Sequence, residues 1–220
     1  MKPLLVFDMD GVLAEVTESY RETITQTVRH FTSATVTNEQ IQKYKDAGGW
    51  NNDWALSHRL CQDLGVDVPY QSVIDQFNAI FLGPNYDGLI LQEQWMPRNG
   101  LLERLSESRQ LSIFTGRPLD DLSHTLRRFA SGIVFSPIIT MESVTRHKPD
   151  PQGLELIQAQ HPGAPIVYVG DTVDDARAAA ALRLPFIGIT AKPATAARLR
   201  EEGALAVIAD INDIEGVLPQ

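Results

Sequence analysis

Short apolar runs that stop abruptly at polar or glycine-containing turns recur along the chain. They are Leu4–Phe7, Leu111–Phe114, Ile133–Phe135, Ile166–Val169 and Phe186–Ile189, with Ala204–Ile208 as a further candidate. Each is too short for a helix and reads as a buried strand. Between most of them apolar residues return at helical spacing, in Leu119–Phe129, Pro151–Gln160, Asp174–Leu182 and Ala194–Glu202. Strands alternating with helices predict an α/β fold: a Rossmann-like parallel sheet with helices on both faces.

Residues 16–95 break this rhythm. Glu18–Phe31, Asn38–Ala47, Asn52–Leu64 and Gln71–Leu82 all carry the helical period, with no convincing strand among them. The pattern therefore predicts a small all-helical domain of residues 16–95 inserted after the first strand. The α/β core is then made of residues 1–15 and 96–220, with Pro97 and Gly100 punctuating the return.

Composition narrows the function. A net charge of −9 over 220 residues gives no basic face for nucleic acid. It does not exclude a phosphorylated substrate, because a bound cation and a few amides can reverse the field locally. The single cysteine, Cys61, allows no intrachain disulfide, reads as a small core residue on a helix, and points to a reducing, cytoplasmic setting. Met1-Lys2-Pro3 and the apolar run behind it are too short for a signal-peptide core, and no segment is long enough to span a bilayer. Nothing in the pattern bears on oligomeric state.

Ligands of open α/β sheets gather beyond the carboxyl ends of the strands, and four predicted strands deliver polar residues there. The first ends in Asp8-Met9-Asp10-Gly11, a carboxylate pair that could face one site or simply make a turn. The second ends in Thr115-Gly116-Arg117, a hydroxyl and an open amide suited to a phosphate oxygen, or an N-cap for the next helix. The third signal is Lys148, held in a defined loop by Pro149 and Pro151, although a solvated surface lysine would look the same. The fourth is Gly170-Asp171-Thr172-Val173-Asp174-Asp175. Three acids in five positions repel one another unless a cation or a lysine lies among them. Asp174 reads as a residue favouring the positive end of the next helix.

In this order the motifs resemble those of the haloacid dehalogenase superfamily, in particular phosphoglycolate phosphatase-like members with a helical cap between the first two motifs. The resemblance covers essentially the whole chain and implies roles for the matching residues. Asp8 would be the nucleophile that forms an aspartyl-phosphate, and Asp10 the general acid and later base. Thr115, the Gly116 amide and Lys148 would hold the phosphoryl oxygens, with Arg117 grouped among the substrate-binding residues. A Mg2+ ion would take the Asp8 carboxylate, the Asp10 carbonyl and Asp171, while Asp175 would join this group by orienting a metal-bound water or Lys148. The implied activity is a Mg2+-dependent phosphatase acting on a small phosphorylated metabolite. Dehalogenation is disfavoured, because the dehalogenase members lack the second aspartate and need no metal. A sugar phosphomutase resembling β-phosphoglucomutase shares every core motif. A non-catalytic binding protein would be expected to have lost Asp8, Asp10 or Lys148.

Within the helical insertion, Gly48-Gly49-Trp50-Asn51-Asn52-Asp53-Trp54 lies where capped relatives carry a specificity loop. Trp50, Asn51 and Asn52 are candidates to read the leaving group by stacking and hydrogen bonding, and Arg21 is a candidate for a second anionic group. The competing reading makes Asn52 or Asp53 a helix N-cap and Trp54 a core residue.

Overall fold

The computed structural model of the chain describes residues 2–219. Its strands are β1 (Leu4–Phe7), β2 (Ala14–Glu15), β3 (Gln94–Trp95), β4 (Gln110–Phe114), β5 (Ile138–Ile139), β6 (Ile166–Gly170), β7 (Phe186–Ile189) and β8 (Ala206–Ile208). Its helices are α1 (Glu22–Thr32), α2 (Asn38–Ala47), α3 (Asp53–Asp63), α4 (Tyr70–Phe81), α5 (Leu101–Ser108), α6 (Leu119–Phe129), α7 (Gln152–Gln160), α8 (Val173–Ala181) and α9 (Pro193–Glu201).

Six strands form one parallel sheet in the order β5-β4-β1-β6-β7-β8, and β2 pairs with β3 in a separate two-stranded sheet. All four residues of β1 are fully buried, as expected of a central strand covered on both faces. Each such side chain contributes about 1.5–3 kcal/mol of burial. On one face Leu4, Val6, Phe114, Tyr168 and Phe186 pack with Leu154 and Ile157 of α7 and Leu199 of α9. The buried alanines Ala176, Ala178 and Ala179 bring α8 close to the sheet.

The chain divides into two compact units, one running to Ala14 and resuming at Trp95, the other Glu15–Gln94. The second unit holds α1 to α4 around its own core. There Tyr20 lies 4.0 Å from Phe81 between ring centroids, with Ile24, Val28, Ile41, Leu56 and Val73 buried. Cys61 is buried on α3. Among the described residues no helix is long and apolar enough to cross a membrane.

Three features depart from the sequence reading. The strand expected at Ile133–Phe135 is absent, and β5 lies at Ile138–Ile139 instead. Val134 is 80% exposed, and pairing beside β4 begins only where Ser136 N donates to Leu111 O. Pro137 has no N–H to give the ladder, so regular strand starts after it. Helix α5 was not expected, although Leu101, Leu102 and Leu105 mark its buried face. The helix expected over Glu18–Phe31 opens as a wide turn at Thr17–Arg21, with Arg21 N bonded to Val16 O at 3.2 Å.

Candidate active site

Sheet register determines which residues meet. Phe7 of β1 lies level with Ile113 of β4 and Val169 of β6. Asp8 follows Phe7 directly, while Thr115 and Asp171 follow Phe114 and Gly170, the last residues of β4 and β6, so all three leave the sheet at the same edge. Asp8 N still donates to Val169 O at 2.8 Å, which fixes its backbone as the strand ends. The chain then turns tightly, with Leu13 N and Ala14 N both bonded to Met9 O. Gly11 has a φ of +70°, and a Cβ there would lie 2.2 Å from Asp171 Oδ2. Only glycine allows the two loops to approach this closely.

Lys148 is no surface lysine: its side chain is 1% exposed. Its Nζ lies 3.0 Å from Asp8 Oδ1 and 2.8 Å from Asp175 Oδ1. The faces of Phe114 and Tyr168 line the ammonium at 4.7 and 5.4 Å. Burial works against the charge, but Asp175 and Asp8 outweigh it and hold the lysine pKa above its ordinary value. Asp175 is also fully buried. Burial would raise its carboxyl, but Lys148, Thr172 and Tyr168 hold it below the usual range. Tyr168 Oη donates to Asp175 Oδ1 at 2.7 Å, and Thr172 donates to Oδ2 through both its amide and its hydroxyl. With both oxygens engaged, Asp175 serves to hold Lys148 and to cap α8.

Asp8 is less well compensated. It is 3% exposed, and burial raises its carboxyl to about 7 against the pull of Lys148, with Asp175 and Asp10 pushing the same way. Ligand atoms of Asp8, Asp171 and Asp175 all lie within 4.8 Å of one another. One lysine among these acids leaves negative charge that a hard divalent cation with oxygen ligands would relieve, so the donor set fits such an ion.

Asp10 has a different setting. Its side chain is 32% exposed, and Oδ1 accepts from Nε of Arg117 at 2.7 Å and from Nη2 of the same residue. The sequence reading placed Arg117 on substrate. It is instead buried against Asp10 and Thr125, because it follows Gly116 into the start of α6 and turns inward. Thr115 is buried too, and its Oγ1 accepts from Arg117 N at 3.2 Å; the N-cap of α6 is Pro118. Asp174 lies in the first turn of α8, at the helix end where the sequence reading put it, and is buried there.

The remaining candidates belong to the other unit and have local partners. Asn52 is the N-cap of α3 and accepts from Ala55 N at 3.0 Å. The Trp50 ring meets Tyr44 edge-on at 5.6 Å, and the Asn51 carbonyl accepts from Lys45 at 3.5 Å. Lys45 also pairs with Asp53 at 2.5 Å. Trp54 Nε1 donates to Asn78 at 3.2 Å, and Arg21 Nη2 donates to Gln42 at 2.9 Å. Tyr168 and Thr172 were missed in the sequence. The trace they leave is a lone hydroxyl inside the apolar run Ile166–Val169 and a Thr three residues before Asp175.

An aspartate pair, a threonine, a lysine and a terminal acidic motif gather at the carboxyl edge of the parallel sheet, where open α/β folds bind their ligands. The sequence pattern of the haloacid dehalogenase-like hydrolases matches residues 5–189, and the chain belongs to that family. Among solved structures it resembles phosphatase Tt82 from Thermococcus thioreducens, with a TM-score of 0.65 and 27% identity over 84% of this chain and 92% of that one. A predicted phosphoglycolate phosphatase from Haemophilus somnus 129pt superposes at a TM-score of 0.79 with 18% identity, covering 98% of this chain and 97% of the other. A β-phosphoglucomutase candidate from Thermotoga maritima gives 0.69 and 18%, covering 98% and 100%. These last two likenesses are of fold. A Phytophthora nicotianae protein named imidazoleglycerol-phosphate dehydratase is 37% identical over 184 residues, 78% of this chain but only 39% of that protein's length.

Proposed function

We infer that the chain is a phosphatase that hydrolyses a small phosphomonoester through an aspartyl-phosphate on Asp8, with Mg2+ as cofactor. The observation that carries this reading is the buried Asp8 carboxylate, paired with Lys148 at 3.0 Å and ringed by further acids at the sheet edge. An Asp8 oxygen attacks phosphorus, forming one P–O bond as the bond to the leaving alkoxide breaks. Asp10 gives its proton to that alkoxide and then takes one from the water that hydrolyses the acyl phosphate. Lys148, together with the Thr115 hydroxyl and the Gly116 amide, offsets charge on the phosphoryl oxygens. Magnesium, when held by the Asp8 carboxylate, the Asp10 carbonyl and Asp171, supplies the positive charge that one lysine cannot. No dehydration is proposed for this chain, whose aspartate pair and lysine suit phosphoryl transfer.

The test is a screen of phosphorylated metabolites with magnesium, measuring released phosphate. Release from at least one small ester, lost in Asp8→Asn, is expected. Phosphate release that persists in Asp8→Asn, or none from any ester, contradicts the reading. Formation of an isomeric sugar phosphate faster than free phosphate would mark a mutase instead.

A further inference from the structure

Arg117 is placed unlike a ligand for substrate phosphate. Its side chain is 1% exposed. Nε and Nη2 converge on the single oxygen Oδ1 of Asp10, and Nη1 donates to Thr125 Oγ1 at 3.1 Å. Thr125 is fully buried on α6, where its hydroxyl donates to Asp121 O at 3.2 Å. The guanidinium is thus braced by the helix at one corner and grips a carboxylate at the other.

Asp10 needs such a grip. It lies past the end of β1, in the tight turn that Gly11 completes, beyond the ladder that fixes Asp8. Left alone, its carboxyl would spread over several staggered rotamers. A displacement of about 1 Å in a reacting group can cost about a hundredfold in rate. A planar, charge-assisted fork fixes orientation as well as position, which an ammonium does not. Holding Oδ1 leaves Oδ2 as the oxygen that exchanges a proton.

We propose that Arg117 is a positioning residue for Asp10, holding it where it protonates the departing alkoxide, and is not a ligand of the substrate phosphate. The proposal rests on the hydrolase reading above and locates the effect of Arg117 in one step. Loss of the fork weakens leaving-group protonation and spares phosphate binding. Esters whose leaving group departs unaided are then insensitive to it.

The experiment measures kcat/KM for phosphomonoesters from nitrophenyl to alkyl, in wild type, Arg117→Met, Arg117→Lys, Asp10→Asn and the Asp10→Asn/Arg117→Met double variant, all with magnesium. Because kcat/KM covers only steps up to leaving-group departure, the later hydrolysis of the acyl phosphate does not enter. Arg117→Met is expected to lose about tenfold to a hundredfold on alkyl phosphates and less than about threefold on nitrophenyl phosphate. Asp10→Asn should show the same contrast more strongly, and the double variant should be no worse than Asp10→Asn alone. Arg117→Lys, which keeps the charge and loses the fork, should share the pattern and carries the test if the methionine variant does not fold. Equal losses along the series, or losses that multiply in the double variant, overturn the proposal. Crystal structures of wild type and the Arg117 variants give a readout free of activity. A displaced Asp10 carboxyl is expected, and an unmoved one overturns the proposal. Wild-type inactivity on every ester would defeat the hydrolase reading alone, and the crystal structures would still decide whether Arg117 positions Asp10.

Discussion

The strand ends of the α/β unit and the segment 48–54 of the helical unit are both rich in polar residues, but they use them differently. In the segment, polar groups mostly serve nearby backbone and side chains: Asn52 caps α3, and Lys45 joins Asp53 to the Asn51 carbonyl. At the strand ends, Asp8, Lys148 and Asp175 come from three separate stretches of chain and are buried together. Burying charge is expensive unless it is paired, and even paired it often contributes less than an apolar core would. Where charges meet by register and are not all compensated, chemistry is the better explanation. The difference teaches where to look for function in this fold: at acids that local structure does not need.

The sharpest way to break this contrast is Asp8→Asn. Turnover should fall by at least about 10⁴-fold, as for removal of a covalent nucleophile. Magnesium removal should act alike, activity vanishing in chelator and returning with the ion. The metal-free variant should nonetheless be more stable. Asp8 titrates near 7 when folded and near 3.8 in a free chain. Between those values the folded state holds a proton that the unfolded state has released, so stability falls as pH rises through that window. Asparagine escapes the penalty, with a gain of up to about 4 kcal/mol at pH 8 that disappears near pH 4. Thermal melts of both proteins across pH check this, and a gain independent of pH would contradict it.

Asp175→Ala comes next. It leaves Lys148 with one buried partner and strips Tyr168 and Thr172 of theirs, for an expected loss of about 3–5 kcal/mol by denaturant titration. A near-neutral result would remove the case that Asp175 holds Lys148. Tyr168→Phe deletes a single buried hydroxyl, with its hydrogen bond to Asp175 and its longer one to the Phe114 carbonyl, and about 1–2 kcal/mol is expected in the same titration.

The smallest effect belongs to the segment. Asn52→Ala should cost about 1 kcal/mol through the lost cap. Its kcat/KM should change alike on the best metabolite and on nitrophenyl phosphate. A selective loss on the metabolite would erase the contrast by giving the segment a role in reading substrate.

Much of this was legible in the sequence because parallel strands buried on both faces leave continuous apolar runs. Leu4–Phe7 and Phe186–Ile189 were read to the residue, and α2 and α6 announced both their ends. Strand Ile138–Ile139 was misplaced because Ile133–Phe135 is as apolar in sequence, and only pairing with β4 shows which stretch is used. At the site, residue types and their order gave the acids and the lysine: Asp8 and Asp171 directly follow β1 and β6, whereas Lys148 lies in the loop before α7 and Asp175 in the first turn of α8. Side-chain direction was not legible. Arg117 looked like an anion ligand by type, yet the turn of the chain after Gly116 aims it at Asp10. Tyr168 was hidden because an aromatic residue inside an apolar run looks like core, and its hydroxyl matters only through Asp175, which a separate turn supplies.

The central claim, a covalent phosphoryl group on Asp8, is tested most directly by acid-quenching the magnesium-loaded enzyme during turnover and mapping phosphate by mass spectrometry. One phosphoryl group on the peptide containing Asp8, labile to hydroxylamine and missing in Asp8→Asn, is the expected result. Turnover with no phosphoryl group on that peptide, or with one elsewhere in the chain, would contradict the account.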